Sequence, residues 1–327
     1  MYHFCTYFDS NYFLYGCTLL SSLKKCCRQD FRLYAAALDD RAFKLLSELD
    51  DERVVPIALA DIEKFDPEYA ACRNNRSKVE YYFTLSPVLP LFLMENFPEI
   101  DILCYLDSDL YFFDDPEVIF RELGDADVLI VPHRFGEKLK WKEIAGKYNV
   151  SFQLYRRSQD CFKLLQWWRE KCIEWCYDVF EENRFADQKY LDYFHTIIPN
   201  VAVSSYPGAA LAPWNWMESN WQADEKNGGF TVDGTQVVFY HFQGFRFLFR
   251  HVMLHNLSSY GAGMPRKLFE FLYGTYAREM TAVKNDLEKV FPQERFSLRI
   301  KAQRLGFSFF RMILSGIYHN NIGFVGK

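Results

Sequence analysis

No stretch of this chain approaches the roughly eighteen uninterrupted apolar residues of a membrane-crossing helix. The turn after the first strand lacks Gly-x-Gly-x-x-Gly, so a dinucleotide fingerprint is missing. The nine cysteines contain no pair of Cys-x-x-Cys motifs, which removes the common zinc spacings. Cys26-Cys27 and Cys172/Cys176 fall in helical patterns and Cys104 in an apolar run, so reduced, buried thiols are expected. Positive charge is not in excess. Lys and Arg number 38 against 43 Asp and Glu, a net charge of −5, which gives no bulk support for a nucleic-acid partner. There is no low-complexity segment, internal repeat or flexible linker. No basic segment precedes Asp9, which stands where a secretion signal would be apolar, and a cytoplasmic location is expected.

What is present is a chain of 327 residues, 50% hydrophobic, enough for a large core. Aromatics reach 18%, with 32 Phe and 21 Tyr. Much of this is core material, but flat aromatic faces also bind sugars and bases. Tyr2 to Phe8 reads as a strand, with Asp9-Ser10-Asn11 capping a helix through Cys27. Phe31 to Ala37 and Arg53 to Leu59 read as further strands, with a short helix from Asp39-Asp40 to Leu49 between them. Short connections between alternating strands and helices signal an α/β fold with a mostly parallel central sheet flanked by helices. A basic opening, Cys72 to Lys78, precedes a helical run that Pro87 and Pro90 are expected to interrupt. The basic cluster suits phosphate binding or a solvated helix start equally.

The run Ile102 to Leu106 has the length of a strand buried on both faces, and it ends in Asp107-Ser108-Asp109. Ionised carboxylates cannot remain in such a strand unpaired. They belong at its C-terminal end, where open α/β sheets hold ligands. Two Asp at i and i+2 of an extended chain point the same way and can share one cation. Oxygen ligands favour Mg²⁺ or Mn²⁺, ions that commonly accompany phosphate-bearing substrates.

Later strands are expected at Asp127 to Pro132, Val150 to Arg156, Val201 to Ser204 and Thr235 to Tyr240. A long helix is expected from Ser158 to about Glu182, carrying Trp167, Trp168 and Trp175. His241 ends the strand at Tyr240. Gly244 allows close backbone approach there, and Arg246 and Arg250 add positive charge. An imidazole joining two carboxylates would complete a three-ligand set that favours Mn²⁺ slightly. Asp187-Gln188 heads a further helix, either as plain charge complementarity to its N-terminus or as a polar pair aimed into the cleft. From about Ser258 the chain reads as helical, and after Glu294 it has no acidic residue. There Arg295, Arg299, Lys301, Arg304 and Arg311 mix with Phe and aliphatic side chains, a pattern that suits an anionic membrane surface, the chain's own domain or an oligomer contact. Residues 1–257 are expected to form the catalytic domain and 258–327 a helical C-terminal extension.

These motifs, in this order, resemble the GT-A fold glycosyltransferases of the family 8 type and related bacterial nucleotide-diphospho-sugar transferases. The resemblance is carried by Tyr7-Phe8-Asp9-Ser10-Asn11-Tyr12, the basic Arg73 to Lys78, Tyr105-Leu106-Asp107-Ser108-Asp109, Phe185-Ala186-Asp187-Gln188 and Tyr240-His241-Phe242-Gln243-Gly244. It covers residues 1 to about 250. It implies a Mn²⁺ or Mg²⁺ site at Asp107, Asp109 and His241. It also implies a nucleotide-sugar donor, UDP-linked by preference, and a glycan or glycolipid acceptor. Phe8, Asp9 and Asn11 would lie near base and ribose, Arg76 and Arg246 near the diphosphate. Ser108, Asn149 and Gly244 would line the donor, Asp187 and Gln188 the reacting centre, Trp214 and Asn215 the acceptor. Two positions depart from the family pattern: Ser151 stands where Gly is usual, and Ala210 where relatives tend to carry Asn. The expected reaction is sugar transfer with retention. A metal-dependent nucleotide phosphohydrolase and a non-catalytic sugar-binding protein on the same scaffold are the rival readings.

Overall fold

The structure is a computed structural model that describes residues 1–224, 229–249, 252–261, 263–298 and 322–324. The chain begins β1 (Tyr2–Phe8), α1 (Phe13–Cys26), β2 (Phe31–Ala37), α2 (Asp40–Ser47), β3 (Val54–Ala58), α3 (Leu59–Phe65), α4 (Pro67–Ala71) and α5 (Lys78–Asn96). It continues β4 (Ile102–Leu106), β5 (Leu110–Phe112), α6 (Glu117–Glu122), β6 (Val128–Pro132), β7 (Tyr148–Arg156), α7 (Gln159–Glu174), α8 (Phe194–Ile197) and β8 (Val201–Val203). Seven strands form the central sheet in the order β3-β2-β1-β4-β7-β6-β8. The β1, β2, β3 and β4 neighbours are parallel, whereas β7 runs antiparallel between β4 and β6.

Side chains alternate across this sheet, as strand geometry requires. Phe4, Phe8, Cys104 and Leu106 enter one core with α1. Cys5, Leu103 and Tyr105 enter the other with α5 and α7. Both faces of β1 and β4 are therefore dry, and the polar residues that follow them emerge at one edge. That edge holds the cleft.

Three further sheets follow. Strands β9 (Trp221–Asp224), β10 (Gly229–Val232) and β11 (Thr235–Gln236) form an antiparallel set. Strand β12 (Phe239–His241) pairs with β5. Strands β13 (Arg246–Phe249), β14 (Val252–Leu254) and β15 (Ile322–Phe324) form the last. Helices α9 (Arg266–Phe269) and α10 (Thr275–Val290) lie between β14 and β15. Tyr273, Tyr276, Ala277 and Met280 of this region join the same core as α1. No helix among the described residues is long and apolar enough to cross a membrane. All nine cysteines are free thiols.

Several local expectations are corrected. Pro87 and Pro90 do not interrupt α5, which runs from Lys78 to Asn96 and is capped by a reciprocal Ser77–Glu80 box. Each proline removes one backbone donor, but both residues are buried within the helix. Helix α7 stops at Glu174, not Glu182, and Trp175 is already extended. Its last carbonyls are taken by Arg76, whose guanidinium donates to Cys172 O at 3.3 Å and Ile173 O at 2.9 Å. The run Thr235 to Tyr240 is two strands, because it changes partner at Val238 from β10 to β5. Strand β15 lies in the region expected to be helical, and the hairpin β13–β14 just before it has no counterpart among the expected strands. Asp9-Ser10-Asn11 does not cap α1, which starts at Phe13 without a side-chain cap. The Asp9 carboxylate instead accepts from the Asn11 and Tyr12 amides and fixes the turn before the helix. Arg250, Arg299, Lys301, Arg304 and Arg311, and with them most of the basic aromatic tail, lie outside the described residues.

Candidate active site

Asp107, Asp109 and His241 converge at the C-terminal end of β4. The strand ends at Leu106, and the carboxylates meet through a turn closed by Leu110 N donating to Asp107 O at 3.2 Å. This differs from the extended Asp-Ser-Asp that the i, i+2 spacing suggests. The tight turn lets β5 fold back and pair with β12. That pairing sets His241 opposite Leu110 and Tyr240 opposite Tyr111. Phe242 N donates to Asp109 O at 3.0 Å and locks the register. His241 Nε2 then lies 3.1 Å from Asp109 Oδ1 and 3.8 Å from Asp107 Oδ2.

The three ligand atoms lie within 4.8 Å of one another, close enough to share one ion. Burial pushes the Asp107 carboxyl up to about 6, with the nearby Asp109 charge adding to the rise against the opposing pull of His241. Burial works against the His241 imidazolium, but the Asp109 and Asp107 charges raise its pKa nonetheless. Two carboxylates and an imidazole, crowded and short of positive charge, fit a hard divalent cation. Tyr105 supports the site from beneath, donating to Asp107 Oδ1 at 2.8 Å.

Two cavities meet here, and both are lined by Tyr7, Phe83, Asp107 and Asp109. The first, about 650 Å³, is walled by Phe8, Asp9, Asn11, Tyr12, Tyr82 and Lys78, with Ser108 near the carboxylates. Lys78 Nζ donates to Asp9 Oδ2 at 2.7 Å. Burial pulls the Asp9 carboxyl up, but Lys78 and Asn11 hydrogen bonds outweigh it and leave the pKa below its usual value. The second cavity, about 580 Å³, is walled by His133, Asn149, Asp187, Gln188, Trp214 and His241, among others.

No family model matches the chain. It is similar to two uncharacterized proteins of Bacillus subtilis (strain 168). YfnD is 27% identical over 294 residues, 89% of this chain and 92% of that protein. YfnF is 28% identical over 253 residues, 74% of this chain and 81% of that protein. Among solved structures, an active-site mutant of LgtC superposes with a TM-score of 0.50 at 13% identity, covering 87% of this chain and 95% of that one. LgtC, a galactosyltransferase, has also been solved in complex with donor and acceptor sugar analogs; that structure covers 74% of this chain and 87% of its own, at 16% identity and a TM-score of 0.48.

The fold is that of the GT-A glycosyltransferases.

Within this GT-A frame the second cavity is shaped by a bulge in β7. Ile130 pairs with Gln153 but Val131 with Asn149, so residues 150–152 have no counterpart on β6. Ser151 stands inside this bulge, buried, and its carbonyl accepts from Asp107 N at 2.9 Å. Asn149 Oδ1 accepts from Ser151 N at 2.9 Å, and its Nδ2 donates to His133 Nε2 at 2.9 Å and reaches Gln188 Oε1 at 3.4 Å. Gln188 Nε2 is anchored on Ala145 O at 3.1 Å. Asp187 is buried and accepts from Ser86 Oγ at 2.5 Å. Burial pushes its carboxyl up to about 7; the Ser86 bond resists this and the Asp107 charge adds to it.

The other expected residues divide between the cleft and its surroundings. Arg76 lies beneath the cleft wall, holding the end of α7 and the Tyr177 hydroxyl, and lines neither cavity. Lys78, two residues on, is the basic side chain that the first cavity presents. Asn215 is buried and turned to backbone, donating to His133 O and Ala210 O and accepting from Ala212 N. Trp214 does line the second cavity, with its ring edge-on to His241 at 5.4 Å. Arg246 is exposed on β13 and its charge reaches Tyr12 at the mouth of the first cavity. Gly244 has φ +76°, and a Cβ there would meet Asn256 Nδ2 at 2.6 Å, so glycine is required by conformation and space.

Sequence reasoning missed His133, and it gave Tyr7 and Tyr105 no role of their own although both stand in the motifs that carry the family resemblance. His133 is buried, and burial lowers its pKa to about 3, so the ring is neutral. Its position just past an apolar strand, like that of His241, was the available signal. Tyr7 and Tyr105 sit within strands and read there as core.

Proposed function

We propose that this chain is a metal-dependent glycosyltransferase. It moves a sugar from a nucleoside-diphosphate donor, a UDP-sugar, to a hydroxyl of a glycan or glycolipid, with retention at the anomeric carbon. The observation that carries this reading is the β5–β12 pairing, which sets His241 against Asp107 and Asp109 where two cavities meet. Two adjoining cavities beside one candidate cation site leave room for a donor and an acceptor, which favours transfer over hydrolysis.

Asp107, Asp109 and His241 would hold Mn²⁺ or Mg²⁺. Such an ion supplies Lewis-acid neutralisation of a departing diphosphate. The first cavity takes the nucleotide, with Tyr12 and Tyr82 offering aromatic faces to the base and Asp9 and Asn11 polar edges to the ribose. Lys78 and Arg246 flank the phosphates. Asn149 and Gln188, each fixed by hydrogen bonds on the opposite wall, orient the donor sugar. Asp187, neutral or ionised near pH 7, sets the polarity behind it. Positioning and charge dominate such transfers. Trp214 forms the acceptor wall.

The test is release of UDP from a panel of UDP-sugars with Mn²⁺ and with EDTA. Turnover should need Mn²⁺, and Asp109→Ala should lower it by roughly a hundredfold or more while the melting temperature is kept. Equal turnover in EDTA, or in Asp109→Ala, would remove the reading.

A further inference from the structure

Two lysines line the paired cavities, and they differ in one respect. Lys78, in the first, is paired with Asp9. Lys142, in the second, forms no ion pair among the described residues. Its ammonium rests instead between two aromatic rings, 4.6 Å from the Trp141 centroid and 5.3 Å from that of Tyr260. Of the carboxylates on its own segment, Glu143 is engaged by Lys140 at 2.8 Å and Glu137 forms no ion pair with Lys142. Asp107, Asp109, Asp178 and Asp187 also line the chamber, and none lies within ion-pair distance of it.

A solvated lysine samples many rotamers. One resting on the exposed Trp141 ring and on Tyr260 has given up part of that freedom, and it lines the cavity. These contacts are tied to the reacting centre. The Tyr260 ring packs on Trp214 at 5.8 Å, and Trp214 packs on His241 at 5.4 Å. The ammonium thus stands three ring contacts from the candidate cation site, on the side away from the nucleotide cavity. A neutral glycan would leave this partly buried cation with ring contacts but no anionic partner. An acceptor with an anionic group would pair it at little further entropic cost.

We propose that Lys142 reads an anionic substituent, a phosphate or a carboxylate, on the acceptor of the transfer. The inference rests on the transferase reading and adds the chemical class of acceptor.

The experiment titrates glucose 6-phosphate, glucuronate and glucose into the full chain saturated with UDP and Mn²⁺. Binding is followed by tryptophan fluorescence, because Trp141 and Trp214 line the chamber. At least one anionic sugar should bind roughly tenfold more tightly than glucose, the strength of one hydrogen bond to a charged group. Lys142→Gln should erase the difference and Lys142→Arg should restore it, with melting temperatures unchanged. Preference for glucose 6-phosphate assigns a phosphorylated acceptor, for glucuronate an acidic sugar, and for both a reading of charge alone. Binding of neither anionic sugar above glucose, or a preference that survives in Lys142→Gln, overturns the inference while UDP and Mn²⁺ still raise the melting temperature. Loss of that UDP and Mn²⁺ response overturns the transferase reading, and this inference with it.

Discussion

Ala210 holds a backbone that its side chain resists. Its φ is +53°, in the left-handed region, and it is buried beside the loop that carries Trp214. A Cβ costs about 1 kcal/mol there. Asn, the residue that the family resemblance leads one to expect here, is more at ease in that conformation. Ala210→Gly should therefore stabilise the protein by about 1 kcal/mol, read by urea unfolding. His255 provides a second residue-scale test away from the cleft. Burial lowers its pKa from 6.5 to about 4, and Leu257 N donates to its Nδ1 at 3.3 Å. Below about pH 6.5 the unfolded chain takes a proton that the folded one refuses until about pH 4. The associated stability is full above that window and lost as pH falls through it, by about 2 kcal/mol at pH 5. His255→Gln should shrink the stability difference between pH 7 and pH 5 by about that amount. An unchanged difference would show that His255 is not its source.

Elements explain where the sequence was legible and where it was not. Strands β1, β2 and β4 were readable because each is a short apolar run buried on both faces and bounded by polar turns. The Asp107, Asp109 and His241 set was readable because each residue follows such a run. What brings them together was not, because a three-residue pairing such as β5–β12 joins segments more than a hundred residues apart. Local pattern also failed where tertiary partners decide an element's end. The helical pattern of α7 continues past Glu174, but Arg76 claims its last carbonyls. The family resemblance put Arg76 near the diphosphate, because its basic neighbourhood carries no mark of this buried task. Arg76→Met should cost about 2 kcal/mol of stability through lost hydrogen bonds and the stacking of its guanidinium on Tyr177 at 4.1 Å. UDP affinity should be unchanged. A large loss of UDP affinity at constant stability would return Arg76 to the phosphate site.

At the scale of the whole molecule, the sheet brings carboxylates to one edge. Strands β1 and β4 lead into Asp9 and Asp107 at the same edge, and the reversed β7 carries the bulge beside Asn149. The aromatic richness of the sequence divides between two dry cores and the walls of two wet cavities. That division could not be read from composition, because the same Tyr and Phe serve both. The central claim is that the first cavity binds a nucleoside diphosphate through a cation held by Asp107, Asp109 and His241. Thermal unfolding of the metal-stripped protein tests it, with UDP or GDP, each with and without Mn²⁺. A ligand of the native state at a hundred times its dissociation constant adds about 2.7 kcal/mol, a rise of a few degrees. The account requires a rise that needs UDP and Mn²⁺ together and disappears in Asp109→Ala. No rise with either nucleotide, or the same rise in Asp109→Ala, would contradict it.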